Sequence, residues 1–308
     1  MSGGVTIDKA ALMALASAAH QLNNPPGQIP PGAMSGERTS RQQGRGLNFD
    51  SLRRYQPGDD VRLIDWQATA RLRSPWIRLY NEERERPVFL LVDQRLDMFF
   101  STRNQTKSVA AASVAALLAW RSWHDGDRLG AVVFNDDEMR VHPCRSPRVT
   151  LPRLFDDLSQ FNQQLPERLR ANRTGPVRLA AVLQRLTSLL PPGSWLALIS
   201  DFHDLDRQSE ALLASLRQRA EMTAWVTLDD LHLHLPASGN LTAHYASDEV
   251  AFALTPALRT ALQDKVSARL ATQKQRLQRP GIAVRNIVVG QPLLPQLQQE
   301  DFHAGKRI

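Results

Sequence analysis

The sequence is poor in several features that point to particular kinds of chemistry. Its 308 residues include a single cysteine, Cys144, which excludes an internal disulfide framework and makes a zinc–thiolate site unexpected. Aromatic residues are only 6% of the chain, so a base-stacking surface for nucleic acid is not indicated. A Walker A loop, a glycine-rich dinucleotide loop and a Gly-x-Ser-x-Gly elbow are all missing from the sequence. We therefore expect that the protein is not an enzyme.

Long apolar runs and a leader sequence are also missing. The longest apolar stretch, residues 109–120, is interrupted by Ser113 and is too short to span a bilayer. No basic-then-apolar segment resembles a secretory signal, so we expect a cytoplasmic protein without a membrane span. The formal net charge is +7, and arginine supplies most of it. This charge either favours an acidic partner or is spread evenly over the surface.

The sequence does contain two apolar stretches that each end in a carboxylate. VFLLVD covers residues 88–93, and SWLALISD covers residues 194–201. A strand without polar alternation is typical of a parallel sheet with both faces buried. Further strands are predicted at 128–134, 222–228 and 281–289, with helices at 107–124, 147–161, 177–190, 208–220 and 256–278. This alternation predicts an α/β fold with a doubly wound, mostly parallel sheet.

Composition divides the chain into three parts. Residues 1–46 are predicted to form a helix at 8–22 followed by a flexible arm rich in Pro and Gly. Residues 47–86 are rich in Arg, Asp and Trp, and we expect them to pack on the sheet, with a helix from Asp59 or Asp60 to about Leu72. Residues 87–308 are expected to form the main domain, with a β-hairpin excursion near 231–253.

The density of opposite charges in 47–86 has two interpretations. Charges at a buried junction must be paired, so the segment could be a salt-bridge network that docks it onto the sheet. Alternatively, it is a platform that binds a partner protein. The candidate partner-binding residues are Arg53, Arg54, Asp59, Asp60, Arg62, Asp65, Trp66 and Arg71.

The same segment carries a family resemblance. Its pattern consists of Asp50, Arg53, Tyr55, Pro57, Gly58, Asp59, Asp60, Arg62, Ile64, Asp65, Trp66 and Ala70-Arg71, followed by Glu83, Asp93, Lys107 and Asp127-Arg128-Leu129-Gly130. This pattern resembles the DUF58 family, specifically over residues 46–135 and more loosely to about 230. The resemblance implies a von Willebrand factor A-like domain. It also implies a MoxR-type AAA+ ATPase as partner, because genes of the two families commonly lie side by side.

The resemblance further implies a Mg²⁺ site built from an Asp-x-Ser-x-Ser motif, a Thr and a second Asp. The corresponding residues here are Asp93, Asp97, Thr174 and Asp201, with Arg95 in place of the first serine. A guanidinium cannot ligate a cation. Arg95 either lies between Asp93 and Asp201 and neutralises them, or points outward while Asp97 serves as an oxygen ligand. We expect a degenerate, metal-free site without any cofactor; occupied Mg²⁺ is the alternative.

The leading hypothesis is a non-enzymatic interaction module, an adaptor or co-chaperone that binds its partner at the carboxyl edge of the sheet. One alternative is a metal-dependent phosphate-ester hydrolase that uses Asp93, Asp97 and Asp201. Another is nucleic-acid binding by the basic helix 256–279, although nucleic acid is not the expected partner. If it binds no nucleic acid, that helix is expected to be a solvated outer face or a surface for an acidic protein.

The other candidate residues carry weaker signals. Cys144 is expected to be structural, and His232 and His234 lack a third metal ligand. Asp204 and Asp206 are expected to be solvated loop acids or an acid–base pair.

Overall fold

The computed structural model describes residues 4–22, 47–82, 86–102, 105–232, 235, 240–245 and 248–298. Its helices are α1 (Lys9–Ala14), α2 (Ala16–Ala19), α3 (Trp66–Leu72), α4 (Lys107–Asp125), α5 (Pro147–Arg170), α6 (Leu179–Leu189), α7 (Arg207–Arg217), α8 (Pro256–Gln278) and α9 (Leu293–Gln298). Its strands are β1 (Leu47–Arg54), β2 (Trp76–Glu82), β3 (Pro87–Asp93), β4 (Arg128–Phe134), β5 (Met139–Arg145), β6 (Ser194–Ser200), β7 (Ala220–Leu228), β8 (Asn240–Tyr245), β9 (Asp248–Ala253) and β10 (Ala283–Val288). The chain divides into a smaller unit, residues 28–85, and a larger unit, residues 1–27 with 86–308.

The larger unit is built on a sheet with the strand order β10-β7-β6-β3-β4-β5. Neighbouring strands are parallel except β5, which runs antiparallel to β4. Every residue of β3 is buried, as expected for a central strand made almost entirely of apolar residues. The predicted α/β class with a mostly parallel sheet is confirmed.

Helices cover both faces of this sheet. Side chains alternate along β3, so Leu90 and Val92 join the cluster that contains α4 and α5. Phe89 and Leu91 join the opposite cluster, which contains apolar residues of α6 and α7. The chain moves outward from β3 through β4 and β5, and then returns to β6 and continues through β7 to β10. Right-handed crossovers in these two directions place their helices on opposite faces, with a switch point between β3 and β6.

The N-terminal helices belong to the larger unit, whereas the sequence placed residues 1–46 outside the main domain. Leu12 and Leu22 are buried in the cluster formed with α4. Trp120 Nε1 of α4 donates to the carbonyl oxygen of Leu12 at 3.1 Å, and Arg121 Nη1 donates to that of Leu22 at 2.6 Å. The N-terminal boundary of the larger unit is therefore determined by packing against α4, a helix later in the chain. Local composition does not predict this contact.

Several predicted bounds differ from the structure. Helix α5 continues nine residues past the predicted end at Phe161, because Leu165 extends its buried face. The hairpin predicted near 231–253 is formed by β8 and β9, which occupy only the later part of that stretch. Glu83, His234, Ser238-Gly239, the arm at 23–46 and residues 299–302 lie outside the described residues.

The smaller unit contains an antiparallel hairpin and a short helix. Strands β1 and β2 pair with Arg53 opposite Ile77, and Ile77 is buried. The predicted helix from Asp59 or Asp60 is instead a single 3-10 turn at Val61–Leu63, followed by α3. Helix α3 begins after Asp65, whose side chain accepts hydrogen bonds from two backbone amides of its first turn.

The described part of the chain contains no helix with the length and apolar character needed to cross a bilayer.

Gly130 in β4 allows close contact between neighbouring parts of the sheet. A Cβ at this position would lie 2.5 Å from Cε2 of Phe89 and 3.1 Å from the Cα of Cys144. We expect Gly130→Ala to lower the unfolding free energy by about 1–3 kcal/mol through overpacking, measured by urea denaturation. The double variant with Phe89→Leu should be less destabilised than the sum of the two single variants. An unchanged urea midpoint for Gly130→Ala would contradict this packing argument.

Candidate functional site

The carboxyl ends of β3 and β6 meet at the switch point of the sheet. Val92 of β3 pairs with Ile199 of β6, so Asp93 and Asp201 follow at the same edge. Parallel sheets place ligand sites outside such an edge. The edge is therefore the candidate functional site predicted by the two apolar stretches.

Asp93 is fully buried, and both of its carboxylate oxygens are used within the protein. Oδ1 accepts hydrogen bonds from the backbone amide and the Nε of Arg95, each at 3.0 Å. Oδ2 accepts from Nη2 of Arg95 and from the hydroxyl of Ser200, each at 2.7 Å. A carboxylate offers about four lone-pair positions, so these bonds saturate it.

The guanidinium of Arg95 lies between two carboxylates. Its Nη1 and Nη2 also donate to Asp204, at 2.6 and 2.9 Å, and its central carbon lies 5.1 Å from the ring centre of Phe134. Burial works to lower the pKa of Arg95, but the charges of Asp93 and Asp204 outweigh it and raise this pKa. Burial also works to raise the pKa of Asp204, yet its hydrogen bonds and the charge of Arg95 lower it overall. Arg95 is therefore a permanent internal cation.

A second buried cation neutralises Asp201. Lys107, the first residue of α4, is only 6% exposed, and its ammonium forms an ion pair with the Asp201 carboxylate. The other oxygen of Asp201 accepts from the backbone amide of His203 at 3.1 Å. Asp93, Asp201 and Asp204 are thus all ion-paired inside the larger unit.

The turn after β6 carries backbone strain. Phe202 is buried and has a φ of +50°, in the left-handed region that costs a bulky residue about 1–3 kcal/mol. Its amide donates to the hydroxyl of Ser200 at 2.9 Å. Gln273 of α8 donates from its side-chain nitrogen to the carbonyl oxygens of Asp201 and Phe202, at 2.6 and 2.9 Å. Helix α8 therefore holds this turn in place.

A buried amide network behind the edge was missed by the sequence reasoning. Gln94 donates to the carbonyl oxygen of Ser108 at 2.9 Å and accepts from the side-chain amide of Asn162 at the same distance. Asn162 in turn accepts from the backbone amide of Ile7 at 2.8 Å. This network joins β3, α4, α5 and the N-terminal segment. The only indication of this network in the sequence is Asn162, an amide side chain on an otherwise apolar helix face.

Asp136, another acid at this edge, was also missed. Its carboxylate accepts from the backbone amide of Leu96 at 2.8 Å, and burial raises its pKa despite that bond. Gly175 packs directly on it, because a Cβ there would lie 2.1 Å from the carbonyl oxygen of Asp136. The neighbouring Thr174 is exposed.

The structure corrects the expected partner of Arg95. Arg95 points inward, as one hypothesis proposed, but it bridges Asp93 to Asp204 and not to Asp201. Asp204, expected to be a solvated loop acid or half of an acid–base pair, instead forms a partly buried ion pair with Arg95. Asp97 has a side chain 62% exposed, with one oxygen 3.9 Å from Nδ1 of His203.

These residues do not fit a Mg²⁺ ion. Asp93 has no lone pair left for a metal, and the charge of Arg95 beside it would repel a cation. Asp201 is paired with Lys107 as well. The arrangement holds the turn after β6 in place and neutralises three acids, Asp93, Asp201 and Asp204.

Two further residues considered in the sequence, Asp206 and Cys144, have structural roles in the larger unit. Asp206 caps α7 by accepting from the amide of Ser209 at 2.7 Å. Burial raises the pKa of the Cys144 thiol, which fits a structural role better than that of a nucleophile.

In the smaller unit, the three predicted partner-binding acids bond within the unit. Asp59 accepts from both terminal nitrogens of Arg53, at 3.0 and 2.8 Å, and this pairing lowers its pKa. Asp65 accepts from Nε of Arg78 at 2.8 Å, which likewise lowers its pKa. Asp60 accepts from the backbone amide of Arg62 at 2.9 Å. Two ion pairs, Arg53–Asp59 and Arg78–Asp65, are thus present inside this unit, and docking of the segment onto the sheet by such pairs stays a prediction.

Three other arginines and Trp66 of the same segment face solvent. Arg54, Arg62 and Arg71 are exposed and form no ion pair with any residue that the structure describes. Trp66 is 70% exposed. Four of the ten exposed large apolar side chains in the described residues lie between 61 and 72; they are Val61, Leu63, Trp66 and Leu72. We refer to these four, with Arg62 and Arg71, as the Trp66 surface.

Comparison with known proteins gives a family match without an assigned activity. Residues 51–276 match the family model described as "Protein of unknown function DUF58". The uncharacterized proteins Rv1480 of Mycobacterium tuberculosis and Mb1516 of Mycobacterium bovis are each 30% identical over 230 residues, 74% of this chain and 70% of theirs. The crystal structure of the conserved hypothetical protein BatB from Bacteroides thetaiotaomicron superposes with a TM-score of 0.40 at 11% identity, covering 68% of this chain and 92% of that one. A TM-score of that size does not establish a shared fold.

Removing the Arg95 side chain should leave the fully buried Asp93 without its cation. We expect Arg95→Met to lower the unfolding free energy by about 3–5 kcal/mol. The matched control is Lys9→Met, whose ion pair with Asp156 joins side chains 43% and 58% exposed. That change should cost less than about 1 kcal/mol. Equal urea midpoints for the two variants would contradict the argument.

Divalent cations should not stabilise the wild-type protein, because Asp93 has no free lone pair. We expect the melting temperature to be the same with millimolar Mg²⁺, with millimolar Mn²⁺ and with EDTA, measured by differential scanning fluorimetry. A saturable rise that disappears in Asp93→Asn, and persists in the surface control Asp156→Asn, would show instead that the site takes a metal.

Proposed function

The chain belongs to the DUF58 family, and from that premise we propose that it is a protein-interaction module and not an enzyme. The proposal includes a von Willebrand factor A-like fold with a degenerate, metal-free adhesion site. The parallel sheet, the helices on both faces and the acids after β3 and β6 support it. The internal ion pairs of Arg95 and Lys107 support the metal-free part.

The observation that carries the proposal is the Trp66 surface. Tryptophan and arginine are enriched among the energetically dominant residues of protein interfaces, and this segment presents Trp66 together with Arg62 and Arg71. Trp66 stays 70% exposed, so it contributes little to the hydrophobic free energy of folding where it is. The acids of the segment bond within the unit, so the surface that remains favours an acidic partner.

By family resemblance, the proposed partner is a MoxR-type AAA+ ATPase, for which this protein would act as an adaptor or co-chaperone. The hydrolase alternative has less support, because Asp93 and Asp201 are ion-paired and neither is free to hold a metal or to act as a base. Nucleic-acid binding by α8 remains as an outcome of the test below.

The test is a crosslinked pull-down of the tagged full-length protein from its own cell extract, with nuclease and with ATP or ADP. We expect an AAA+ ATPase to be recovered with the wild type. Trp66→Ala should weaken binding by about 2 kcal/mol, roughly thirtyfold in affinity. The matched control is Trp123→Ala, which removes a tryptophan that is 37% exposed on the larger unit, and it should bind like the wild type.

Two results would contradict the proposal. One is that no ATPase is recovered with either nucleotide. The other is that Trp66→Ala and Trp123→Ala recover it equally well. Recovery of nucleic acid alone from extract without nuclease would favour the nucleic-acid alternative.

A further inference from the structure

A cleft of about 280 Å³ lies between the turn that follows β6 and helix α8. Its lining includes Phe202 and Leu205, which are 1% and 6% exposed and form an apolar floor. His203, Arg269 and Arg276 also line it and supply polar groups. All of these residues belong to the larger unit. Neither the metal site implied by the resemblance nor the Trp66 surface uses this cleft.

The cleft carries one uncompensated positive charge. Arg276 forms an ion pair with Glu210 of α7. His203 lies 3.9 Å from an oxygen of Asp97. Arg269 is exposed, and no ion pair joins it to any residue within the described ranges. Because Glu210 offsets Arg276, a ligand with a single negative charge matches the cleft.

The position of Arg269 is held by the structure. Gln273, one helical turn further along α8, bonds to the carbonyl oxygens of Asp201 and Phe202. These two bonds fasten α8 to the turn that forms the cleft floor. A guanidinium on a fastened helix loses less freedom when it binds a ligand than one on a mobile loop.

The internal ion pairs make the edge compatible with an incoming acid. Asp201 and Asp204 are close in sequence to the cleft floor, and as free carboxylates they would repel a negative ligand. Lys107 and Arg95 neutralise them. The same cations that disfavour Mg²⁺ therefore remove the repulsion that an acidic side chain would otherwise meet.

We propose that this cleft binds one aspartate or glutamate side chain of the partner protein, with Arg269 as the carboxylate-binding residue. Arginine and a carboxylate form paired, charge-assisted hydrogen bonds. This inference rests on the proposed interaction function and specifies the partner chemistry at the sheet edge.

A nucleic acid fits the cleft less well. A polyanion would meet Glu210 and Asp97, and the apolar floor residue Phe202 is buried, so its ring offers no face for stacking bases.

The test measures fluorescence anisotropy of two fluorescein-labelled peptides on the purified full-length protein. One peptide alternates glutamate and leucine, and the other alternates glutamine and leucine. We expect the glutamate peptide to bind at least about tenfold more tightly, because a charge-assisted hydrogen bond adds that much. Arg269→Glu should remove about the same factor. Lys274→Glu, the same charge change beside the smaller cleft on the other flank of α8, should change affinity by less than about twofold.

Equal losses in the two charge-reversal variants would show general electrostatic attraction and overturn the proposal. So would equal binding of the two peptides, or stronger competition from a single-stranded oligonucleotide or inorganic phosphate than from unlabelled glutamate peptide. The assay contains no ATPase, so its result is separate from that of the pull-down. An ATPase captured equally well by wild type and Arg269→Glu would overturn the cleft proposal while leaving the interaction function in place.

Discussion

The guanidinium of Arg95 connects three parts of the larger unit that are distant in sequence. Asp93 ends β3, Asp204 lies in the turn after β6, and Leu179 begins α6 with its amide bonded to Asp204. A fully buried carboxylate is tolerated only when a cation and hydrogen bonds replace its water. Arg95 meets that requirement for Asp93 and at the same time sets the position of the turn. The switch point of the sheet is consequently closed by an internal ion pair.

Lys107 has the corresponding role for Asp201, and Gln273 ties α8 to the same turn. The strained φ of Phe202 persists because Ser200 and Gln273 hold the backbone on both sides of it. Acids that are neutralised and rigidly held contribute little to acid–base chemistry, which needs a group that can exchange a proton or hold a metal. These contacts are consistent with the interaction function proposed above.

The apolar stretches ending in Asp93 and Asp201 were enough to predict the sheet and the edge, because a short apolar run that ends in a carboxylate is visible in the local sequence. The sequence could not predict which second carboxylate would pair with Arg95. Asp201 and Asp204 are three residues apart, and which of them reaches Arg95 depends on the left-handed φ of Phe202. No residue type in this turn indicates that conformation. The Gln94–Asn162 contact joins residues 68 apart, so only the packed fold reveals it. The same holds for the N-terminal helices, whose docking depends on Trp120 and Arg121.

In the smaller unit, composition indicated that opposite charges would pair, but it did not indicate which charged side chains would remain exposed to solvent. The short side chains of Asp60 and Asp65 bond to backbone amides nearby and cap turns, whereas Arg62 and Arg71 have long side chains that reach solvent. The larger unit shows a similar division, with Asp93 buried and Asp201 partly buried beside cations and Arg269 exposed. Several acids are paired or bonded within each unit, whereas Arg62, Arg71 and Arg269 are exposed and form no ion pair with any described residue. These arginines are positions at which the net charge of +7 would attract the proposed acidic partner.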